Sequence, residues 1–367
     1  MRRLASQIFW RLPARFAIAR FLGRAYSLRS VVFHNISATE SPFTRGMGVS
    51  ITPAALEAAL RFLTRYYNPV RLQDVLDDPD GKRLPARAVL VTFDDGYASD
   101  LRFAAPLCRR FGVPAVFFIN GAYLDNHRLA PDNLICYAYN VLGLEVINSA
   151  VRATKGSGAP ELQSLAEVFS LFFPAISLVE RESFLRALTD VAGIDQSRLA
   201  AEAGLYLSRR DVRDLAASGF EIGNHTYSHV HGRSLSARDL AGEIDKNNIE
   251  LEQISAAPVR SFSVPYGSSR DLTESLFNHL KESGHKVIFL SESAANPDAR
   301  PADATSVDRI SIQTSEEDEL FFEIEVMARL RTMRNRFGKI RSAWRGNPGL
   351  TDDTVPSYKS AKGVNCQ

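Results

Sequence analysis

Two successive aspartates, Asp94 and Asp95, are followed by Gly96, which permits a sharp turn. Two histidines, His225 and His229, stand four residues apart in the segment HTYSH. Pro265-Tyr266-Gly267 and an isolated His34 complete the residue types able to do acid, base or metal chemistry. Two imidazoles at this spacing can face one ion if the chain turns helically there. One carboxylate would complete a three-ligand set with positions open to water. A second carboxylate, not bound to the ion, can take the proton from that water. Together these residues fit a metal-dependent hydrolase. The residues alone leave open which aspartate is ligand and which is base. Each group also has an ordinary explanation: Asp-Asp-Gly is an acidic turn, and HxxxH is a surface pair on a helix.

The elements that must position these residues favour the joint reading. Residues 30–36 read as a buried strand that carries His34. Thr52 and Pro53 are set to open a helix. Residues 88–92 (AVLVT) are a continuous apolar, β-branched run, as in a strand covered on both faces, and they lead into FDDG. A helix near 98–111, a Gly112/Pro114 break and a second apolar strand at 115–119 make a βαβ unit, hence parallel strands. Ser208-x-x-Asp211 is a capping box that opens another helix. Strands follow at 220–224, 261–264, 286–290 and 307–312. In parallel α/β folds the chemistry gathers at the carboxyl ends of strands. Asp94 and Asp95, His225 and His229, Tyr266, and His34 all follow such ends.

Residues 121–205 interrupt this rhythm with a mainly helical pattern. The expected division is a basic segment at 1–29, the first part of a barrel at 30–120, a helical insertion at 121–205, the second part of the barrel at 206–325, and a basic helix with a disordered tail at 326–367.

Composition agrees with a globular α/β protein. The 367 residues are 45% hydrophobic and 23% charged, which excludes disordered, collagen-like and disulfide-scaffold classes. Three scattered cysteines, Cys108, Cys136 and Cys366, have no metal-ligand spacing and point to the cytosol. The net charge of +2 is uneven. Seven arginines fall in residues 1–30 and seven basic residues in 329–345, with no acid in either stretch. Removing these 14 from 44 leaves 30 basic against 42 acidic residues, or −12 for the rest. Both stretches could meet an anionic inner-membrane surface peripherally; ordinary solvated ends explain them as well. No run reaches the ~18 apolar residues of a membrane span. Arginines break any signal-peptide core, and no aromatic interleaving supports nucleic-acid binding.

VTFDDGYASD, HTYSH and SFSVPYG, in that order, resemble the motifs of the polysaccharide deacetylase (NodB-homology) family of carbohydrate esterases. VVFHNI and GVPAVFFINGAYLD are similar to its longer bacterial members associated with exopolysaccharides. The resemblance covers roughly residues 30–125 and 205–315. It implies a distorted (β/α) barrel with fewer than eight strands. It implies removal of N-acetyl groups from hexosamine units of an acetylated glycan, with a divalent metal, usually zinc. Carried over, Asp94 is the general base, and Asp95, His225 and His229 are the metal ligands. The Tyr266 backbone N–H is an oxyanion donor. Pro265, Tyr266 and His231 are expected along the sugar. From its strand-end position, His34 is expected beside the metal as a catalytic residue that donates a proton to the departing amine, or binds the sugar; a core histidine satisfied by a backbone carbonyl is the plain alternative.

Two departures stand out. The family often has an arginine two positions before the proline of the third motif, to orient the base, and Ser263 stands there. Many members also carry a late-strand histidine as general acid, whereas SVDRISIQ has none. A weakly active or non-catalytic, metal-containing glycan-binding module is therefore the alternative reading.

Overall fold

The computed structural model describes residues 2–12, 15–17, 28–78, 83–294, 296 and 305–332. Its frame is a ring of parallel strands: β1 (Leu28–Phe33), β2 (Ala88–Phe93), β3 (Ala115–Ile119), β4 (Glu221–Asn224), β5 (Ser261–Ser263), β6 (Val287–Leu290), β7 (Thr305–Asp308) and β8 (Ile310–Ser311). Their order is β7-β6-β5-β4-β3-β2-β1-β8. β7 pairs with β6 while β8 pairs with β1, and only Arg309 separates them in the chain. One interrupted strand thus closes the barrel, and the interruption is Arg309. Short apolar strands suit this arrangement because helices cover their outer face and side chains fill the interior. Leu90, Val116, Phe118, Val287, Phe289 and Val307 form that filling.

Residues 30–36, expected as one strand, are two. The chain leaves the barrel at His34, and Asn35–Ile36 pairs with Ser50–Ile51 in a separate two-stranded sheet. Around the barrel lie α1 (Arg2–Arg11), α2 (Pro53–Tyr66) and α3 (Ala105–Phe111). The expected cap of α2 forms, with the Thr52 side chain accepting from the Ala55 N–H. The later α8 (Arg209–Ala217) forms its capping box through Ser208 and Asp211.

Between β3 and α8 come α4 (Pro131–Tyr137), α5 (Leu144–Lys155), α6 (Leu178–Ala192) and α7 (Gln196–Ala203). They bury their own apolar cluster, which includes Leu134, Ile147, Val151, Phe184 and Leu188. The cluster extends to Tyr97, just after Gly96, and to Tyr206; their rings stack at 5.9 Å. The insertion is therefore packed against the strand-end loop that carries the aspartates. α9 (Lys246–Ser255), α10 (Glu274–Glu282) and α11 (Glu317–Phe321) complete the outer layer.

The N-terminal basic segment, over its described part, is a helix docked by one face with its arginine-bearing face largely exposed. α1 docks on α11: the Ser6 hydroxyl donates to Asp318 at 2.8 Å, and Trp10 meets Phe321 edge-on at 5.9 Å. Arg2 pairs with Glu323, and Arg29 with buried Glu325 at 2.8 Å. The acids that cancel these arginines lie over 290 residues away in sequence, which is why the local charge count misled. Residues 333–367, with most of the second basic stretch, the tail and Cys366, lie outside the described residues. Among the described residues no helix is long and apolar enough to cross a membrane. Cys108 and Cys136 are buried free thiols.

Candidate active site

The two adjacent aspartates end up in opposite environments. β2 runs out at Phe93, and Asp94 continues its alternation, so its side chain points into the barrel mouth. Asp95 takes φ +76 and Gly96 φ +65, turning the second carboxylate across the rim.

Asp94 is fully clamped. Arg309 reaches both its oxygens, Nη1 to Oδ1 at 2.6 Å and Nη2 to Oδ2 at 2.7 Å. The Ser263 hydroxyl donates to Oδ2 at 3.0 Å and accepts from Arg309 Nη2 at 2.7 Å. Arg309 is itself wholly buried, donating also to the Thr92 hydroxyl at 3.1 Å. Such planar two-bond pairing is the strongest geometry available to a carboxylate. Burial by itself would raise the Asp94 pKa; the charges of Arg309 and His225 overcome it and hold the carboxyl below its usual range.

Asp95 is the opposite case. Its Oδ1 is buried without a hydrogen-bond partner. His225 Nε2 lies 3.3 Å from it and His229 Nε2 3.5 Å. Ligand atoms of the three residues all lie within 4.8 Å of one another. Burial opposes ionisation of Asp95, but the neighbouring imidazoles His225, His229 and His34 hold its pKa down. A buried carboxylate oxygen facing two imidazole nitrogens is the donor set of a divalent metal site, and the residues fit such an ion.

Each imidazole is oriented through its far nitrogen. His225 Nδ1 donates to the Ser263 carbonyl at 2.7 Å. His229 Nδ1 meets Asp132 Oδ2 at 2.7 Å. Such bonds leave Nε2 free to bind a metal. The segment between the two histidines is not the helical turn that the spacing suggested. It is an irregular loop, with Thr226 at φ +61 and His229 at φ +51. These left-handed residues bring both rings to one side, which a helix would have done by periodicity.

Other expected residues are nearby. His34 feels Asp95 and Asp94 electrostatically; burial nevertheless lowers its pKa below the usual value. Its Nδ1 is buried without a partner. Tyr266 sits at φ +62 in a turn completed by Gly267, where a Cβ would come within 2.4 Å of Ser291 Cβ. Pro265 is buried beneath that turn. His231 does not face open cleft. Its ring lies flat against Tyr266 at 3.6 Å, and its Nδ1 meets Asp271 at 3.2 Å.

Two residues of the site escaped sequence reasoning. Arg309 stands in SVDRISIQ, where only a histidine was sought. A charged residue two positions after inward-facing Val307 was the available signal. The family arginine missing at Ser263 has a geometric counterpart in Arg309, which reaches Asp94 from the closing strand and bonds to Ser263 on the way. Asp132 lies in the insertion, at the second position of α4, where an acid is an ordinary helix-start residue. Its sequence context carried no sign of the site.

A family model, "Polysaccharide deacetylase", matches residues 81–288, over half the chain. This chain belongs to the polysaccharide deacetylase family. As a family member it is a hydrolase of the deacetylase class. Solved structures share the fold. IcaB from Ammonifex degensii superposes with a TM-score of 0.51 at 18% identity, covering 83% of this chain and 98% of that one. The Streptococcus pyogenes deacetylase PplD, in complex with acetate, gives 0.50 at 12% identity, covering 84% and 96%. The polysaccharide deacetylase BA0330 of Bacillus anthracis, described as putative, gives 0.51 at 14% identity, covering 81% and 68%. A curated relative, the uncharacterized protein YlxY of Bacillus subtilis (strain 168), is 34% identical over 59 residues, which is 16% of this chain and 18% of that protein. The chain thus spans less than a fifth of that relative's length.

Proposed function

We propose that this chain is a metal-dependent deacetylase that hydrolyses the acetamide of hexosamine units in a polysaccharide or oligosaccharide, releasing acetate. The observation that carries this reading is the contrast between the paired aspartates. Asp94 is held ionised by Arg309, and Asp95 presents an unpartnered oxygen to two imidazoles.

Asp95, His225 and His229 would hold a divalent metal, zinc being the best fit to one carboxylate and two imidazoles. Such an ion supplies Lewis acidity to the acetyl carbonyl and to water. The remaining work falls to the chain's own residues. Asp94 Oδ2 lies 3.9 Å from His225 Nε2, beside the ligand cluster. There it can accept the proton of the attacking water while Arg309 and Ser263 keep its plane fixed. The same carboxyl, once protonated, returns the proton to the departing nitrogen, so that amine and acetate leave with protons balanced. The Tyr266 backbone N–H is the oxyanion donor. His34, with a buried Nδ1 that has no partner, serves as a hydrogen-bonding wall for the sugar or its acetyl group.

The retained base argues for catalysis over a purely glycan-binding role, which would leave Asp94 and its arginine without a task. The test is zinc content and acetate release from N-acetylglucosamine oligomers. His225→Ala should lose bound zinc and activity together. Stoichiometric zinc in that variant would overturn the ligand assignment.

A further inference from the structure

We propose that Asp132, contributed by the helical insertion, is the positioning residue of the metal centre, setting the tautomer of His229 and pinning Tyr266 with one carboxylate. The inference rests on the metal reading above.

Asp132 is 3% exposed and reaches two residues of the site. Its Oδ2 lies 2.7 Å from His229 Nδ1. The Tyr266 hydroxyl donates to Oδ1 at 3.0 Å and to Oδ2 at 3.2 Å. A carboxylate only accepts, so the shared proton belongs on Nδ1, and the Nε2 lone pair must face Asp95. His225 receives the same instruction from a main-chain carbonyl of the barrel. The two imidazoles are therefore oriented by unlike means, one by backbone and one by a single side chain. Only the second can be removed by substitution.

The need for such a device is visible in the backbone. His229 holds φ +51, and Tyr266 φ +62. Non-glycine residues stay in this region only when their surroundings over-determine them. At Tyr266 the surroundings are the Asp132 bond on one side and the His231 ring on the other. At His229 they include Glu243, which accepts from the Ser228 N–H and hydroxyl, and several groups from the insertion or its approach. Arg181 on α6 donates to the carbonyls of Ser228 and His229, and the Tyr123 hydroxyl donates to Ser228 O at 2.8 Å. Asp132 is the member of this group that acts on a ligand ring itself. Because it accepts from both partners, it has no proton to give. Its role is orientation, not proton transfer.

Orienting partners of metal-bound histidines typically sustain 10–100-fold in metal affinity. Zinc affinity is measured on the full chain by competition with a chromophoric chelator, with His225→Ala as control. Asp132→Asn should bind zinc about tenfold more weakly, and Asp132→Ala about 100-fold. Asp132→Glu should recover part of the loss. Wild-type affinity in both Asn and Ala variants, with zinc lost in His225→Ala, overturns the role of Asp132 and leaves the metal site standing. Retained zinc in His225→Ala overturns both. Should the variants fail to fold, the zinc-loaded wild type still decides. Proton NMR should show a slowly exchanging His229 Nδ1–H, and fast exchange of that proton with solvent overturns the proposal.

Discussion

The closing seam of the barrel and the helical insertion each secure one half of the site, by different physics. At the seam, Asp94 is held by Arg309 and Ser263 and lies buried at the barrel mouth. The ion pair is buried on both sides, so its energy depends on geometry that only regular strands maintain. On the insertion side, His229 sits in an irregular loop held by side chains that come from helices outside the barrel. Asp94, the proposed base, is thus part of the fold's frame, and His229, a proposed metal ligand, is fastened on from outside. The barrel keeps a charge in place by burial, and the insertion keeps a ring in place by aim.

The comparison is sharpest in the paired aspartates, where the largest effects are expected. Asp94→Asn should keep zinc and lose at least about 10³-fold in acetate release, because an amide cannot take the proton. Asp95→Asn should lose zinc as well. Equal zinc retention in the two would erase the division between them. Next comes the seam. Arg309→Met leaves Asp94 buried without its cation, at about 3–5 kcal/mol of stability read by urea unfolding. With Arg309 gone, Asp94 is no longer held low, so the acid limb of kcat/KM should move to higher pH. Zinc affinity should stay within a few-fold of wild type; a large loss would mean that seam and insertion are one unit. The reverse experiment is milder. Arg181→Met frees the carbonyls of Ser228 and His229, and zinc affinity should fall several-fold with the Asp94 pH limb unmoved.

The smallest effect lies outside both regions, at Asp271. Burial would raise its pKa, but Arg233 and His231 hold it at about 2, against an ordinary 3.8. A depressed carboxylate contributes stability above its unfolded value, lost as pH falls from about 4 towards 2. Asp271→Asn should therefore cost about 2 kcal/mol at neutral pH and flatten the stability curve below pH 4. An unchanged acid unfolding profile would show that His231 and Arg233 do not depend on this group.

Much of the fold was legible because its signals are local. The apolar β-branched runs became strands, and Thr52 and the Ser208/Asp211 pair capped the helices they announced. Residues that end strands were read correctly as neighbours: Asp95, His225 and His229 do converge. Their loop was misread as a helical turn, since two residues at positive φ leave no periodic trace. Arg309 and Asp132 were passed over for a related reason. Their partners lie 215 residues away at Asp94 and 97 away at His229. No spacing rule spans such distances.

The sequence by itself determined the types of group at the strand ends and the parallel α/β plan, because each is written in runs of a few to a dozen residues. Tertiary structure alone decided which aspartate is clamped and which is left open to the imidazoles. That choice depends on where the last strand breaks to close the ring, and on where the insertion's helices come to rest against the rim. The physical reason is burial. Asp94 and Asp95 are chemically identical and adjacent, and they become different only when one is enclosed with a guanidinium and the other with two imidazoles.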